Sequence, residues 1–346
     1  MIQNISTSPL QKSYDVVVVG GAMLGSSVAW FLSTNTSFKG SILVIEKDPT
    51  YKFSSTAHTN SCIRQQFSTE INVKISQFGA DFIKNFREYM GGDERVPIVP
   101  FQSFGYMYLA DNLEFAETLQ QAQIIQKKSG AGTKYMLADE IKRDYPFYML
   151  DDIIGGNHNL IDEGYFDGNT LFDWWKRSAR ERGAEYITNE AVSMQKNIKG
   201  NSVKTITLKS GEVISVGQVV NASGPRARFT AQMAGIEIPV EPRKRYTFVF
   251  DAEHTLNCDL PLTIDPTGIH MRSEGTYYLA GCAPDLDLAV DYNDFIEDHF
   301  IWQEKVWPII ANRIPQFESI KLINSWAGHY AFNTLDQNAI IGAHTE

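Results

Sequence analysis

The chain has few cysteines and no excess of positive charge. Its 346 residues include 3 cysteines, and 31 Lys and Arg stand against 41 Asp and Glu, giving a net charge of -10. A protein that binds a phosphate backbone needs a basic face, so this charge argues against a nucleic-acid partner. Cys62, Cys258 and Cys282 are odd in number, far apart and without zinc-type spacing. They predict a reducing compartment and no metal site.

Long apolar segments are also missing. No run approaches the roughly 18 apolar residues of a transmembrane helix, and the first thirteen residues lack the apolar core of a signal peptide and the arginines of a transit peptide. We therefore expect a soluble chain without a transmembrane segment, in the cytoplasm or, in a eukaryote, the mitochondrial matrix. With 43% hydrophobic residues, it can bury a core large enough for one large or two intertwined domains.

The stretch YDVVVVGGAMLGSSVAWFLS, which begins at Tyr14, predicts a strand, a tight turn and a helix. The β-branched run is typical of a parallel strand buried on both faces. Leu24, Val28 and Leu32 then recur at a spacing of four, as on one face of a helix. A second apolar strand, SILVIE, ends at Glu46. These segments form a complete βαβ unit.

The turn lacks the middle one of three usual glycines. Gly20 and its neighbour Gly21 provide the tight turn, Ala22 is small enough for a pyrophosphate to approach, and Gly25 allows close helix packing. The helix N-terminus offers free N–H groups to a diphosphate. Glu46 can accept hydrogen bonds from a ribose 2′-OH. NADP carries a phosphate at that position, and the carboxylate would repel it, so NADP is disfavoured.

The segment after Glu46 bears on the choice between NAD and FAD. The chain lacks the next βα unit and enters a polar loop, KDPTYKFSSTAHTNSCIRQQFS. Much later GQVVNASGPRA repeats the pattern of a strand followed by a turn of small residues, at Ala222 and Gly224. A second such turn is typical of two-domain flavoproteins. An NAD-dependent dehydrogenase remains the alternative, and it predicts nicotinamide binding without yellow colour.

Several long stretches carry a family resemblance: VVVVGGAMLGSSVAWFL, SSTAH, IDEGYFDGNTL, VVNASG and SWAGHYAFNTLDQNAIIG. With them the chain resembles the D-amino-acid-oxidase-like superfamily of FAD-dependent oxidoreductases, which includes sarcosine and dimethylglycine oxidases and dehydrogenases. Within it, the chain is most similar to a branch linked to the assembly of respiratory complex I. The resemblance implies FAD and an α/β fold of two domains, a Rossmann-like FAD-binding domain and a substrate domain with an antiparallel sheet.

The resemblance also implies how the two domains alternate along the chain. The expected FAD-binding segments are 14–90 and 163–235, and the expected substrate segments are 91–162 and 236–325. Residues 326–346 are expected to start a C-terminal FAD-binding segment. Relatives continue after the part matching DQNAIIG with a glycine-rich turn and a helix, whereas this sequence stops at Glu346. We therefore expect the sequence to be a fragment; the alternative is a protein that is defective in holding FAD.

Further FAD contacts are implied only by the resemblance. Val192 would hold adenine through its backbone, or be simply a core valine. His58 matches the histidine of an S-T-W-H loop to which relatives attach flavin covalently, although Ala57 replaces the tryptophan; the alternative is a solvent-facing histidine. Together with Glu46 and the two turns, the expected cofactor residues are Lys47, Ser55, Thr56, Ile63, Arg64 and Gly342.

Four residues are candidates for the substrate side. Arg64 matches an arginine that pairs with a substrate carboxylate, or else it serves in a surface or flavin-phosphate ion pair. His270 could deprotonate an ammonium group near neutral pH, or be structural. Tyr246 could line the pocket or pack in the core. Tyr330 stands where amino-acid-oxidising relatives often carry an arginine, which makes carboxylate recognition less secure.

The resemblance implies oxidation of a secondary or N-methylated amine by hydride transfer to flavin. Oxygen-reducing relatives carry a lysine in the strand that corresponds to TYYLAG, and this strand has none. Its absence predicts a dehydrogenase, because a cation near the flavin stabilises developing superoxide. The expected partners are a small amine and an electron acceptor such as a quinone, a flavoprotein or another carrier. The alternative is an FAD-binding assembly factor for a respiratory complex, with little turnover.

Overall fold

The structure, a computed structural model, describes residues 5–344. Its strands are β1 Ser13–Val19, β2 Ile42–Glu46, β3 Cys62–Ile63, β4 Phe101–Gln102, β5 Tyr106–Ala110, β6 Lys134–Leu137, β7 Gly155–Asn159, β8 Gly164–Phe166, β9 Glu185–Thr188, β10 Ala191–Lys196, β11 Val203–Leu208, β12 Val213–Asn221, β13 Val240–Ala252, β14 Leu262–Ile264, β15 His270–Glu274, β16 Tyr277–Cys282 and β17 Ile320–Asn333. Its α-helices are α1 Met23–Thr34, α2 Glu70–Lys84, α3 Phe86–Tyr89, α4 Leu113–Lys128, α5 Ala138–Asp144, α6 Gly168–Glu181, α7 Ala227–Gln232 and α8 Trp307–Arg313.

The predicted βαβ unit lies at the centre of a six-stranded sheet with the order β10-β11-β12-β1-β2-β9. Strands β12, β1, β2 and β9 are parallel, whereas β10 and β11 continue the sheet as antiparallel strands. Val17 and Val18 of β1 are fully buried and face opposite sides of the sheet. The structure therefore confirms the predicted central strand, the helix after it and the second strand ending at Glu46.

A larger sheet of eight strands has the order β17-β13-β16-β15-β14-β5-β7-β6. It is antiparallel except at the parallel pair β14 and β5. Its longest pair is β13 with β17, which match from Val240 opposite Asn333 to Ala252 opposite Ile320. A small sheet of β3, β8 and β4 contains the start of the segment that carries Arg64. The mixed α/β architecture agrees with the predicted fold class.

Each main sheet has its own apolar core. Val16, Val18 and Val44 pack under α1, α2 and α6 on one face of the six-stranded sheet. On the other face of this sheet, apolar side chains of β1, β2 and β9 pack with those of β10, β11 and β12. One face of the eight-stranded sheet packs against α8 and the π-helical turn Trp302–Val306 that precedes it. The other face of the eight-stranded sheet, which carries Arg245, Thr247 and His270, lines the cleft between the sheets.

The chain passes between the two sheets several times. The six-stranded sheet takes its strands from residues 13–46 and 185–221, and the eight-stranded sheet takes its strands from 106–159 and 240–333. The predicted boundary between 325 and 326 falls inside β17, which pairs with β13 over its whole length. The division into domains itself stays a prediction. In residues 5–344, no helix combines the length and apolar character needed to cross a bilayer.

Candidate functional site

A cleft of about 1380 Å³ lies between the two main sheets. It exceeds the roughly 300–1,000 Å³ that hold a drug-sized ligand, so it has room for a dinucleotide together with a small substrate. Twelve of the sequence-predicted site residues line it: Gly20, Ala22, Glu46, Lys47, Ser55, Thr56, His58, Arg64, Ala222, Gly224, His270 and Tyr330.

The turn after β1 can be built only with small residues. Gly20 has φ +97°, and a Cβ there would stand 2.4 Å from the carbonyl oxygen of Ala222. A Cβ on Gly25 would stand 1.8 Å from the carbonyl oxygen of Gly20. The two glycines therefore allow α1 to start directly against the end of β1, beside the second turn at Ala222.

The N-terminus of α1 and Glu46 together form the polar end of the cleft. Ala22 occupies the N-cap position and has no side chain that could cap the helix, which leaves N–H groups of the first turn for a ligand. The carboxylate of Glu46 accepts hydrogen bonds from the N–H groups of Gly21 at 2.8 Å and Asp48 at 2.9 Å. Burial raises the pKa of Glu46, against the effect of these two N–H donors. Its remaining lone pairs can accept hydroxyl groups.

The polar loop after Glu46 crosses the cleft. Thr56 Oγ1 accepts a hydrogen bond from the Met23 N–H at 3.3 Å, which ties the loop to the first turn of α1. Ser55 donates to the carbonyl oxygen of His329 at 2.7 Å, which ties it to β17. The Nδ1 of His58 is 3.1 Å from the Ser54 carbonyl oxygen and donates to it. In that tautomer, Nε2 of His58 carries the free lone pair.

His270 stands at the other end of the cleft, on β15. The side-chain amide of Asn60 donates to Nε2 of His270 at 2.7 Å. Burial, with Arg272 and Arg245 nearby, lowers the pKa of His270 to about 4. The imidazole is therefore neutral at pH 7 and already accepts a hydrogen bond. Burial without a carboxylate partner disfavours the charged form and makes His270 a weaker base, and its suggested role in deprotonating an ammonium group stays a prediction.

Arg64 is a cation that forms no direct ion pair within residues 5–344, although the carboxylate of Glu163 acts on it at longer range. Its guanidinium carbon lies 4.5 Å from the ring centre of Phe67 and 6.0 Å from that of Tyr108. Its Nε is buried and has no hydrogen-bond partner within residues 5–344. Tyr330, half exposed at 49%, lines the same cleft. A carboxylate would be the natural complement of such a guanidinium.

Three predicted site residues, Tyr246, Ile63 and Gly342, lie outside the lining of the cleft. Tyr246 is 6% exposed and belongs to the core of the larger sheet, because the strand alternates and its neighbours Arg245 and Thr247 face the cleft instead. Ile63 packs against the apolar core on the helix-covered face of the six-stranded sheet. Gly342 is exposed, with φ +135°. Tyr246 therefore packs in the core, the alternative stated for it from the sequence, whereas the predicted cofactor contacts of Ile63 and Gly342 stay predictions.

Three other predicted residues lie next to the cleft but do not line it: Gly21, Gly25 and Val192. Gly21 contributes its N–H to Glu46, and Gly25 sets the approach of α1. The Val192 side chain is 44% exposed, but the pairing of β10 with β11 shifts between Ala191 and Ser193 and skips Val192. Such a bulge leaves backbone groups outside the ladder. The predicted backbone contact to adenine therefore stays a prediction with a suitable geometry.

Sequence reasoning missed several residues that line the cleft. Arg245 forms a bidentate ion pair with Asp287 at 2.7 and 2.9 Å and lies 5.3 Å from the ring centre of Tyr330. Asn60 and His329 face the cleft from the loop and from β17. The period-two alternation of VEPRKRYTFVFDA places Arg245 and Tyr246 on opposite faces of the strand, but it does not say which face lines the cleft. No comparable signal marks Asn60, because it lies in an irregular loop.

These residues fit FAD. The first turn of α1 would hold the diphosphate, Glu46 a ribose, and the loop from Ser55 to His58 the part of the cofactor nearer the substrate. Within residues 5–344, no three His, Cys, Asp or Glu side chains are grouped so that they could hold a metal ion. The fold and the cleft thus define the class: an oxidoreductase fold that holds a dinucleotide between a Rossmann-like sheet and an antiparallel sheet.

Comparison with known proteins identifies the family. The profile of the DAO family, described as FAD dependent oxidoreductase, matches residues 15–346, and the chain belongs to this family. The chain is 33% identical over 363 residues to FAD-dependent oxidoreductase domain-containing protein 1 of Xenopus laevis, covering 95% of this chain and 72% of the relative. Mouse mitochondrial sarcosine dehydrogenase is 23% identical over 237 residues, 68% of this chain and 25% of that protein.

Among solved structures, the L-proline dehydrogenase from P. horikoshii matches with a TM-score of 0.80 and 25% identity. The match covers 97% of this chain and 86% of that chain. The predicted FAD dependence and superfamily membership are therefore confirmed.

Proposed function

We propose that this protein oxidises a secondary or N-methylated amino acid and passes the electrons to an acceptor other than oxygen. The observation that carries the proposal is Arg64, a guanidinium in the cleft whose buried Nε has no partner in the described chain. When bound, FAD supplies the acceptor for a hydride from the carbon next to nitrogen. The chain itself has to bind and orient the amino acid.

Arg64 is suited to bind the carboxylate. Its planar guanidinium is always charged and matches a carboxylate with two parallel hydrogen bonds. The rings of Phe67 and Tyr108 flank it, so water has little access and the pair is stronger than it would be on the surface. Tyr330 supplies an additional hydroxyl to the same wall.

The surroundings of His270 favour a neutral amine. The histidine is uncharged at pH 7, since its pKa is lowered to about 4, and Asn60 fixes its ring through Nε2. It therefore adds no positive charge that would repel an amine. We assign His270 to orienting the ligand, with Thr247 of β13, two strands away in the same sheet, also lining the cleft.

Two of the similar proteins act on the proposed kind of molecule by their names. L-proline and sarcosine are both secondary amines that carry a carboxylate, and the named activities are dehydrogenases. The strand β16, Tyr277–Cys282, contains no lysine that could stabilise superoxide. These points support a dehydrogenase. The proposed acceptor is a quinone, a flavoprotein or another electron carrier.

Anaerobic reduction of the bound flavin tests the proposal. The holoprotein is mixed with sarcosine, dimethylglycine or L-proline and, as matched controls, with sarcosinamide and prolinamide, which lack the carboxylate. We expect at least one acid to bleach the yellow flavin, its amide to react about 100-fold more slowly, and Arg64→Gln to remove the difference. Reoxidation by air should be slower than by an artificial quinone.

A flavin that stays oxidised with every candidate would contradict the proposal. That outcome would favour the alternative, an FAD-binding protein of little turnover, which the resemblance to the complex I assembly branch implies. Equal rates for acid and amide would instead remove Arg64 from carboxylate recognition while leaving amine oxidation in place.

A further inference from the structure

The segment that carries Arg64 is fixed by a buried carboxylate. Glu163 is 0% exposed and lies just before β8. Its Oε1 accepts the backbone N–H of Gln65 at 2.6 Å, and its Oε2 accepts the side-chain amide of Gln66 at 2.9 Å. Gln65 in turn donates through its side chain to the carbonyl oxygen of Ile161 at 2.8 Å. Glu163 thus clamps the two residues that directly follow Arg64.

Arg64 is also the cation that acts on this carboxylate. Burial raises the pKa of Glu163 to about 7, although hydrogen bonds and the charge of Arg64 oppose that effect. The other titratable groups that face it, Tyr106 and Tyr108, are neutral because burial raises the pKa of both phenols. Within residues 5–344, Glu163 and Arg64 form no direct ion pair.

The pocket can hold Glu163 in either charge state. Gln66 donates through Nε2 both to Glu163 and to the carbonyl oxygen of Tyr106, at 3.1 Å, while its Oε1 is buried without a partner in the described chain. Rotation of this amide by about 180° exchanges donor and acceptor. The oxygen would then face Glu163 and accept the O–H of a protonated carboxyl group, while the hydrogen bond from Nε2 to the Tyr106 carbonyl oxygen would be lost. Oε1 of Gln66 is therefore available to accept a hydrogen bond from Glu163 when Glu163 carries a proton.

We propose that Glu163 is the positioning residue for Arg64 and that it takes up a proton when an anionic ligand binds to Arg64. The proposal rests on the proposed role of Arg64 as the carboxylate site. In the free protein, ionised Glu163 balances the buried guanidinium. A bound carboxylate supplies a second negative charge to the same cation, so the two carboxylates repel each other. Protonation of Glu163 relieves that repulsion.

The sign of the pH dependence is set by this linkage. A nearby negative charge raises the pKa of Glu163 in the complex above its value in the free protein. Affinity for a carboxylate is then constant at low pH, where Glu163 is protonated in both states, and falls as pH rises through the free-state pKa. Repulsion between two like charges in such partly buried surroundings weakens binding by on the order of tenfold.

Propionate is the probe, because it carries a carboxylate whose charge does not change above pH 6 and has no amine to oxidise. Its Kd for the holoprotein is measured from pH 6 to 9 by calorimetry, in two buffers of different ionisation enthalpy that reveal the number of protons taken up. We expect about tenfold weaker binding at pH 9 than at pH 6, with net proton uptake near pH 7. Glu163→Gln should bind with the low-pH affinity throughout.

Asp162→Asn is the matched control, since Asp162 is the neighbouring carboxylate but pairs with Lys84 at the surface at 2.7 Å. It should keep the wild-type pH profile. Binding that depends on Arg64 but neither varies with pH nor takes up a proton overturns the role of Glu163 alone. Propionate binding that is absent, or unchanged in Arg64→Gln, overturns the carboxylate site and this inference with it. The proton count in the unmodified protein decides the matter even if Glu163→Gln does not fold.

Discussion

Replacing Gly25 by alanine adds one methyl group at the tightest contact in the dinucleotide turn. The new Cβ would lie 1.8 Å from the carbonyl oxygen of Gly20 and 3.2 Å from Cγ1 of Val18. Such carbon atoms essentially never approach a heavy atom within 3.0 Å. The start of α1 must therefore move away from β1 by at least about 1.2 Å.

That displacement exceeds what the hydrogen bonds of the first turn can tolerate. A bond of about 2.9 Å that lengthens by 1.2 Å lies beyond hydrogen-bonding distance. Hydrogen bonds to a charged group such as a diphosphate contribute about 1.5–3 kcal/mol each. Loss of one or two of them weakens FAD binding by about 100-fold or more. Gly25→Val, which is larger and branched, should abolish binding.

Titration of the apoprotein with FAD, followed by quenching of flavin fluorescence, measures this effect. Gly79→Ala is the matched control, because Gly79 also lies in a helix but a Cβ there meets only Cδ1 of Ile63, at 3.3 Å. Its FAD affinity should not change, and its helix should gain up to about 1 kcal/mol. A folded Gly25→Ala protein that binds FAD within threefold of the unmodified protein would refute the reasoning.

Three further predictions concern single side chains. Acid precipitation of the yellow protein should leave colour in the pellet if His58 is covalently linked to flavin, and in the supernatant for His58→Ala; colour released from the unmodified protein rules the link out. Glu46→Ala should weaken FAD binding by about 1–3 kcal/mol through lost ribose hydrogen bonds, and an unchanged Kd would mean that Glu46 binds no ribose. The pKa of His270 falls from about 6.5 in the unfolded chain to about 4, so its contribution to stability is present above pH 6.5 and is lost toward pH 4. Urea unfolding should show about 2 kcal/mol less stability at pH 5 than at pH 7 from this group, a loss that His270→Asn should remove; an equal loss in the variant contradicts the assignment.

The sequence predicted the dinucleotide end of the cleft better than the substrate end. Local patterns determine the former, because the strand, the turn glycines and the terminal Glu46 are close in sequence and follow fixed geometric rules. Tyr246 shows why the latter is harder. Its position on a strand was predictable, but its side depends on which face of β13 packs against the helical layer, and that is a tertiary contact.

The residues that surround a titratable group in the fold were equally hard to predict from the sequence. The sequence suggested a histidine at position 270 with an ordinary pKa, whereas burial and Arg272, two residues along β15, lower it. Likewise, Glu163 and Gln65 are about 100 residues apart and meet only because β3 and β8 pair. Charge and hydrogen-bond partners across such distances need the folded chain.

The way the strands of the six-stranded sheet are distributed along the chain has a consequence during protein synthesis. Strand β1 pairs with β12, and about 200 residues separate them, so the sheet cannot close until Asn221 at the end of β12 has left the ribosome. At about 5–20 residues per second, this takes on the order of 10 to 40 seconds. Throughout that interval one long edge of an apolar strand has no partner, which makes the nascent chain a substrate for chaperones that bind extended apolar segments.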